Sequence, residues 1–244
     1  MKKRQKIRKG IILSSFFFFP ITIYYFSPAQ IVDAAHKGIM NGSAIIFVLQ
    51  FLVSLVLGRA FCGWVCPGAG LSEACAIASP RKVRGGRYNW IKYFIWAPWI
   101  IAILILVLSA GGYQKIEPFY QTKHGISVAD PFAYIPYFTV VGLIVILAFS
   151  TGRRGFCHYT CWMAPFMIIG TKIRNYFKWP ALQLAVKEEL CKDCRKCDKE
   201  CPMSLGVNDM VKKGAILDSE CVFCGSCADA CPEGVLRYSF RGRK

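Results

Sequence analysis

Two cysteine runs near the carboxyl end decide how this chain folds. They read CKDCRKCDKECP at residues 191–202 and CVFCGSCADACP at residues 221–232. Both follow the spacing Cys-x2-Cys-x2-Cys-x3-Cys-Pro, in which three thiolates bind one 4Fe–4S cluster and the fourth ligates the other cluster. The spacing therefore predicts one cluster on Cys191, Cys194, Cys197 and Cys231, and a second cluster on Cys221, Cys224, Cys227 and Cys201.

This spacing is typical of bacterial two-cluster ferredoxins, and we interpret residues 181–244 as an α+β domain of that type. A zinc ribbon needs only pairs of Cys-x2-Cys, and a disulfide framework requires an oxidising compartment. A domain of about 60 residues has little hydrophobic core of its own. We therefore expect metal binding to supply much of its folding stability.

Charge divides the chain near residue 180. The 244 residues carry 31 Lys and Arg against 14 Asp and Glu, a formal net charge of +17. Residues 1–180 hold 20 of the basic and 4 of the acidic residues, a net +16, which leaves 11 and 10, a net +1, for residues 181–244. The 55% hydrophobic content excludes a disordered chain. The basic excess has two interpretations, nucleic acid binding or positive flanks of membrane helices.

Four apolar stretches in the first region predict a membrane α-helical domain over residues 1–180. They cover residues 11–26, 39–58, 91–110 and 134–150. A bilayer core of about 30 Å needs about 20 apolar residues in a helix. The first stretch, which contains Pro20, has a signal peptide as its alternative, but the bulky residues at its end favour an uncleaved anchor.

The distribution of basic residues predicts the orientation of this domain in the membrane. Seventeen of the 20 lie at the N-terminus, between Arg59 and Lys92, or after the fourth stretch, whereas the opposite loops hold only Lys37, Lys115 and Lys123. The positive-inside rule then predicts a multi-pass protein of the inner membrane with both termini in the cytoplasm. The positive charge is explained by topology, and no nucleic acid partner is expected.

An internal repeat follows the second and fourth apolar stretches. The copies read GRAFCGWVCP at residues 58–67 and GRRGFCHYTC at residues 152–161. We interpret the membrane domain as two duplicated helical hairpins, each ending in a Cys-x3-Cys pair. Together Cys62, Cys66, Cys157 and Cys161 supply the four thiolates of a third iron–sulfur cluster at the membrane face. Zinc binding, or simple packing of four small apolar residues, are the alternatives.

Other polar residues are weaker candidates. Proton acceptors for chemistry on the outer side are limited to Asp33, His36, Glu117, His124 and Asp130. His158, inside the second cysteine pair, either bonds a cluster sulfur or is an interfacial side chain. The basic loop at residues 81–87 either contacts lipid or docks acids at residues 188–200. Residues 166–179 have the pattern of an interfacial amphipathic helix.

Taken together, these features resemble the NapH/MauN type of membrane ferredoxin, and the same module is similar to parts of NosR-type and CcoG-type proteins. The segment FCGWVCP at residues 61–67 matches the Cys-x3-Cys-Pro element of that family. The second copy departs from it, because Trp162 follows Cys161 and the proline comes only at Pro165.

The resemblance implies a quinol dehydrogenase subunit rather than a stand-alone enzyme. Such a subunit takes electrons from the quinone pool and passes them through its clusters to a respiratory reductase or a partner redox protein, such as a periplasmic ferredoxin-like or cytochrome subunit. Two other functions remain open, a copper-handling assembly factor for a cytochrome oxidase and a redox-sensing regulator. The sequence does not locate a quinone site.

Overall fold

The computed structural model describes residues 3–242, with the side chain of Arg87 excepted; Lys2, counted above among the basic residues, lies outside that range. The helices are α1 Lys3–Phe17, α2 Phe19–Thr22, α3 Pro28–His36, α4 Gly42–Leu57, α5 Ala60–Trp64, α6 Pro67–Ala78, α7 Ile91–Ser109, α8 Tyr134–Thr151, α9 Gly155–Tyr159, α10 Ala164–Phe177, α11 Lys196–Glu200, α12 Val207–Lys212 and α13 Ser226–Ala230. The strands are β1 Ile39–Asn41, β2 Lys115–Glu117, β3 Ala181–Val186 and β4 Leu236–Arg241. Short 3-10 turns cover Ile23–Phe26, Gly86–Trp90, Pro131–Ala133 and Glu188–Leu190.

Two helical segments are long and apolar enough to cross a membrane, Tyr88–Ser109 and Pro131–Thr151. Their apolar side chains are largely exposed, among them Phe94, Leu108 and Ile146, as lipid-facing residues would be. These segments contain α7 and α8, so two of the four expected spans are present.

The other two apolar stretches differ from straight spans. The first is bent by 60° between Lys3–Phe17 and Phe19–Phe26, at a break beside Pro20, and it counts as a third span only if the bent pair is taken together. The second forms α4, whose 16 residues rise about 24 Å at 1.5 Å per residue, short of the ~30 Å hydrocarbon core. Pro20 has no backbone N–H and so removes one helical hydrogen bond, which explains the bend in the first stretch.

The helix α10 packs along α4 rather than lying unpartnered. Its inner face, including Met167, Ile168 and Gly170, is buried, and an added Cβ at Gly170 would lie 1.8 Å from Ser54 Oγ. The interfacial helix predicted for residues 166–179 is therefore packed along one face, and Lys172, Tyr176 and Phe177 are its exposed residues. It ends at Lys178, which adopts the left-handed conformation.

The C-terminal domain is closed by its own two ends. Strands β3 and β4 pair antiparallel, from Ala181 opposite Arg241 to Val186 opposite Leu236. Between them lie the two cysteine runs, whose short helices α11 and α13 contact each other. This is an α+β arrangement in which the loop of the second cysteine run is buried and the loop of the first is exposed.

The N-terminal helix docks on the C-terminal domain. Arg4 Nη2 donates to Asp229 at 2.8 Å, and Gln5 Nε2 donates to the carbonyl oxygen of Cys224 at 3.0 Å. The start of α1 and the C-terminal domain therefore share one side of the molecule.

The ion pairs between the membrane domain and the C-terminal domain are not those that the exposed charges suggest. The buried Glu220 pairs with Arg59 and Lys92, and Arg4 pairs with Asp229. Among the described side chains, no ion pair joins the loop at residues 81–84 to the acids at residues 188–200. The loop contacts the C-terminal domain through its backbone, where the N–H of Val83 donates to Ser204 Oγ at 3.2 Å. Docking of the basic loop on these acids stays a prediction.

Candidate iron–sulfur centres

The eight cysteines of the C-terminal domain line two separate small cavities. One is lined by Cys191, Cys194, Cys197 and Cys231, and the other by Cys201, Cys221, Cys224 and Cys227. The last cysteine of each run thus crosses to the group formed by the other run. This is the placement that crossed ligation of two clusters requires.

The two cysteine loops have left-handed backbone conformations at equivalent positions. The second and fourth positions after the first cysteine are left-handed in both runs: Asp193 and Arg195 have φ of 53° each, and Phe223 and Gly225 have φ of 49° and 73°. Left-handed residues turn successive N–H groups toward one concavity, an arrangement found around iron–sulfur clusters. Gly225 is also required by space, because an added Cβ would lie 2.6 Å from the Tyr238 hydroxyl.

The two cavities differ in exposure. Cys201, Cys224 and Cys227 are buried, and apolar side chains such as Val222 line their cavity, whereas Cys194 of the other set is exposed. Burial raises the pKa of Cys221 to about 12. The second set is therefore a dry site, and the first set lies next to solvent.

The four cysteines of the internal repeat also come together. Cys62, Cys157 and Cys161 are buried in one core cluster, Cys66 is half-buried, and all four thiols interact electrostatically. Burial raises the pKa of Cys161 to about 12, and the neighbouring thiols of Cys157 and Cys62 add to the effect.

The two copies are equivalent in backbone structure despite the missing proline in the second. The N–H of Cys66 donates to the carbonyl oxygen of Phe61 at 3.0 Å, and the N–H of Cys161 donates to that of Phe156 at 2.9 Å. A new helix begins after each pair, α6 at Pro67 and α10 at Ala164. The departure from the Cys-x3-Cys-Pro pattern thus does not change the local fold.

Each cysteine pair is preceded by a fully buried arginine. Arg59 precedes Cys62 by three residues and occupies the N-cap position of α5, and Arg154 precedes Cys157 by three residues and occupies the N-cap position of α9. Arg154 Nη1 also donates to the carbonyl oxygen of Cys62 at 2.7 Å, which ties the second copy to the first.

Two buried ion-pair triads surround the four cysteines. Arg59 and Lys92 share Glu220, and Arg8 and Arg154 share Glu73. Burial favours the neutral form of Glu73, but Arg154 and Arg8 outweigh it and hold its pKa at about 2. Four cations and two carboxylates leave a net +2 in the protein interior.

The net charge of +2 bears on whether an iron–sulfur cluster fits the site. An uncompensated buried charge is costly, so neutral thiols would leave the site unstable. Four thiolates (−4) with a 4Fe–4S core (+2) carry −2, which balances the triads. Buried N–H groups of the arginines also lack acceptors among the described residues, namely Arg59 Nε, Arg59 Nη2 and Arg154 Nε. Cluster sulfur atoms would supply acceptors, so the residues fit the group.

A single metal ion fits less well. No group of three or more His, Cys, Asp or Glu among the described residues is placed to hold one metal ion. In a 4Fe–4S cluster each of the four thiolates binds a different iron, so the sulfur atoms can stand farther apart.

The membrane site touches the buried C-terminal set directly. An added Cβ at Gly63 would lie 2.2 Å from the carbonyl oxygen of Val222, and Trp64 Nε1 donates to the carbonyl oxygen of Phe223 at 2.9 Å. Helix α5, which carries Cys62, therefore packs directly against the loop of the second cysteine run.

His158 links the same two parts. Its Nδ1 lies 2.8 Å from Asn89 Oδ1, and its Nε2 lies 3.1 Å from the carbonyl oxygen of Met203. Burial lowers the pKa of His158 to about 4. The neutral ring has one N–H, so one nitrogen donates and the other accepts, and the Asn89 side-chain amide and the Met203 carbonyl group take up both. The interpretation as a sulfur-bonding residue is therefore wrong, and His158 bridges the membrane domain to the loop after Cys201.

An apolar cavity adjoins the membrane site. Its volume is about 70 Å³, and Cys66 and Cys161 form part of its wall. The rest of the wall is mainly apolar, with Phe19, Ile23 and Val140 among its residues, and Tyr24 and Ser27 also line it. The bend near Pro20 brings Phe19 and Ile23 into this wall.

The outer-side candidates lie apart from this cavity. Asp33 accepts hydrogen bonds from Tyr120, Gln121 and Lys37, and Asp130 pairs with Lys123 at 2.6 Å. The hydrogen bond from Tyr120 lowers the pKa of Asp33. None of the five outer candidates lines the cavity, so they form loop contacts rather than its wall.

Sequence reasoning missed the buried charges. Arg59, Lys92 and Arg154 were counted as orientation signals, and Glu73 and Glu220 had no assigned role. One signal was available for the arginines, because both stand at the same position of the internal repeat. Nothing local marks the two glutamates, which come from α6 and from the residue before Cys221.

Two family models match the chain. A 4Fe-4S dicluster domain matches residues 190–236, and a 4Fe-4S binding domain matches twice, at residues 42–84 and 132–179. The second model covers both Cys-x3-Cys pairs, one in each match. The predicted repeat is therefore reflected in the family model as well.

Curated relatives extend over most of the chain. The ferredoxin-type protein NapH of Haemophilus influenzae is 28% identical over 82% of this chain and 68% of its own length. The methylamine utilization ferredoxin-type protein MauN of Methylorubrum extorquens is 29% identical over 86% of this chain and 71% of its own length. YccM of Escherichia coli is 26% identical over 79% of this chain, but the match spans only 54% of YccM. No solved structure matches the chain.

Proposed function

Because this chain is similar to the ferredoxin-type proteins NapH and MauN, we propose that it carries electrons from membrane quinol to a partner redox protein. In this proposal it is a quinol dehydrogenase subunit of the inner membrane, with four membrane-embedded helical segments and both termini in the cytoplasm. Its partner is a respiratory reductase or another redox protein.

The apolar cavity beside Cys66 and Cys161 is the observation that carries this proposal. Ligand sites are typically lined mainly by apolar side chains with a few polar groups. A quinol head group has an apolar ring and two hydroxyl groups, which suits the aromatic and aliphatic lining of this cavity with Tyr24 and Ser27 among its residues.

The proposed electron path follows the contacts between the three cysteine sets. A 4Fe–4S cluster supplies one-electron transfer, and oxidation of a quinol to a quinone releases two electrons and two protons. Cys62, Cys66, Cys157 and Cys161 would hold the cluster nearest the quinol. Cys201, Cys221, Cys224 and Cys227 would hold the next cluster, across the contact of Gly63 with Val222.

The remaining set, Cys191, Cys194, Cys197 and Cys231, would hold the exit cluster. Its exposed Cys194 brings this set next to solvent, where a partner can approach. The dry shell of the middle set keeps water from the path. The chain's own contribution is to bind the quinol, hold three clusters in sequence and expose the last one.

A blocked cavity tests the proposal. Val140, half-buried on α8, lines the cavity, whereas Ile146 on the same helix is largely exposed. We expect Val140→Trp to prevent reduction of the clusters by a quinol analogue in purified protein, while dithionite still reduces them. Ile146→Trp is the matched control and should behave as wild type, because its side chain faces outward.

Two results would contradict the proposal. Clusters that stay oxidised in the wild-type protein under excess quinol would remove the quinol as donor. Bound copper with only about eight irons per chain, the content of two 4Fe–4S clusters, would instead support a copper-handling assembly factor.

A further inference from the structure

We propose that Arg59 and Arg154 are a symmetric pair of positioning residues that donate hydrogen bonds to the sulfur atoms of the membrane-site cluster and set its reduction potential. This inference rests on the proposed function, since it requires a cluster on the four cysteines of the repeat. It assigns a role to two residues whose charge the sequence explains only as topology.

The symmetry is visible in both sequence and structure. Each arginine stands three residues before the first cysteine of its pair, at the N-cap position of the short helix that carries this cysteine. Each is fully buried and paired with one carboxylate from a distant element, Glu220 for Arg59 and Glu73 for Arg154. Two copies of a packing accident would not be expected to share spacing, burial and partner type.

Both arginines keep buried N–H donors that have no acceptor among the described residues. Arg59 uses one nitrogen for Glu220, and its Nε and Nη2 have no acceptor among the described residues. Arg154 uses Nη1 for the Cys62 carbonyl oxygen and Nη2 for Glu73, and its Nε has no acceptor there. Leaving a buried donor unsatisfied destabilises the fold, because the group loses its hydrogen bonds to water. An acceptor at the four cysteines would remove this cost.

The surroundings of the arginines contain the required sulfur atoms. Arg59 interacts electrostatically with Cys62, Cys157 and Cys161, and Arg154 interacts with Cys157 and with Cys224 of the middle set. The guanidinium group has five N–H donors in a fixed fork, so it can serve a carboxylate and a sulfur atom at once. Lysine cannot reproduce this fork.

The sign of the effect follows from charge. A reduced cluster carries one more negative charge than the oxidised cluster, so nearby cations and N–H donors stabilise the reduced form and raise the potential. Removing an arginine lowers the net charge of the two triads from +2 to +1. Removing the charge of Glu73 raises it to +3 and should shift the potential in the opposite direction.

The test is a redox titration of the membrane-site cluster in the purified full chain, followed by electron paramagnetic resonance. We expect Arg59→Gln and Arg154→Gln to lower the midpoint potential, and Glu73→Gln to raise it. Arg59→Lys keeps the charge but loses the fork, so its potential should lie between those of wild type and Arg59→Gln. Arg84→Gln, at an exposed arginine of the loop before α7, removes the same charge outside the site and should leave the potential unchanged.

The iron content separates the outcomes. About twelve irons per chain, the content of three 4Fe–4S clusters, with a potential that no variant moves would overturn the inference and leave the proposed function standing. About eight irons in wild type would overturn the membrane-site cluster, and the inference with it. Shifts of the same sign in Arg59→Gln and Glu73→Gln would also overturn it, because a purely structural role predicts no opposite shifts.

Discussion

Gly63 is a residue at which the membrane domain and the C-terminal domain meet without side chains between them. An added Cβ would lie 2.2 Å from the Val222 carbonyl oxygen and 3.3 Å from the Cys224 nitrogen. Both atoms belong to backbone that is fixed by the second cysteine run. The absence of a side chain at residue 63 therefore sets how close the membrane site and the middle site can be.

We expect Gly63→Ala to weaken docking of the C-terminal domain, because the backbone of residues 222–224 must move to admit the new methyl group. Overpacking of this kind costs about 1–3 kcal/mol. Quinol reduction of the C-terminal clusters should slow, while iron content stays at the wild-type level.

Gly142→Ala is the matched control for this change, since an added Cβ at Gly142 meets nothing within 4 Å. Wild-type reduction rates in both variants would show that the contact at Gly63 does not set the distance of electron transfer.

At the scale of elements, the pairing of α4 with α10 places the cysteine repeat. Helix α10 contributes Met167, whose sulfur lies 3.7 Å from Cys62 Sγ. Helix α4 leads directly to Arg59 and Cys62. The small side chains at Ser54 and Gly170 allow the two helices to approach closely, as is usual for helices packed within membranes.

Gly170→Leu should force α10 away from α4, because even a Cβ there would lie 3.1 Å from the Phe51 carbonyl oxygen and 1.8 Å from Ser54 Oγ. We expect a lower Tm and loss of the membrane-site cluster, measured as a drop from about twelve to about eight irons per chain.

Gly142→Leu carries the same side chain to an open position on α8 and should keep both the Tm and the iron content. A full iron content in Gly170→Leu would show that the approach of α10 to α4 does not position the cysteines.

At the scale of the whole molecule, one end carries the three cysteine sets and the other carries the loops. Lys92, at the beginning of α7, donates a hydrogen bond to Glu220, next to the second cysteine run. The strands β1 and β2 pair beyond the other end of α7. The contact of Arg4 with Asp229 holds the N-terminus at the cysteine end. The termini are therefore fixed to one side by contacts as well as by charge.

This arrangement predicts the accessibility of tags in membrane vesicles. A tag after residue 244 and a tag at the N-terminus should be cut by protease from the cytoplasmic side only. A tag inserted after Gly112, in the loop between α7 and α8, should be cut only from the opposite side. Cleavage of the C-terminal and loop tags from the same side would contradict the topology.

The sequence by itself determined the features that depend on neighbouring residues. The spacing of the two cysteine runs indicates two clusters. Closely spaced cysteines can bind one cluster whatever the rest of the chain does. The excess of basic residues on one side of the apolar stretches and the repeat of Gly-Arg and Cys-x3-Cys are likewise local patterns. These gave the ferredoxin domain and the two-copy organisation of the membrane domain.

Only the tertiary structure decided the role of the buried charges. Arg59 and Glu220 are separated by 161 residues, and Arg154 and Glu73 by 81 residues. Their pairing depends on how the C-terminal domain sits on the membrane helices, which no local pattern encodes. The same holds for the apolar cavity, because its wall joins the bent first helix, α8 and both cysteine pairs. Local cysteine spacing thus identifies the ligands, and long-range packing determines the charges around them and the cavity beside them.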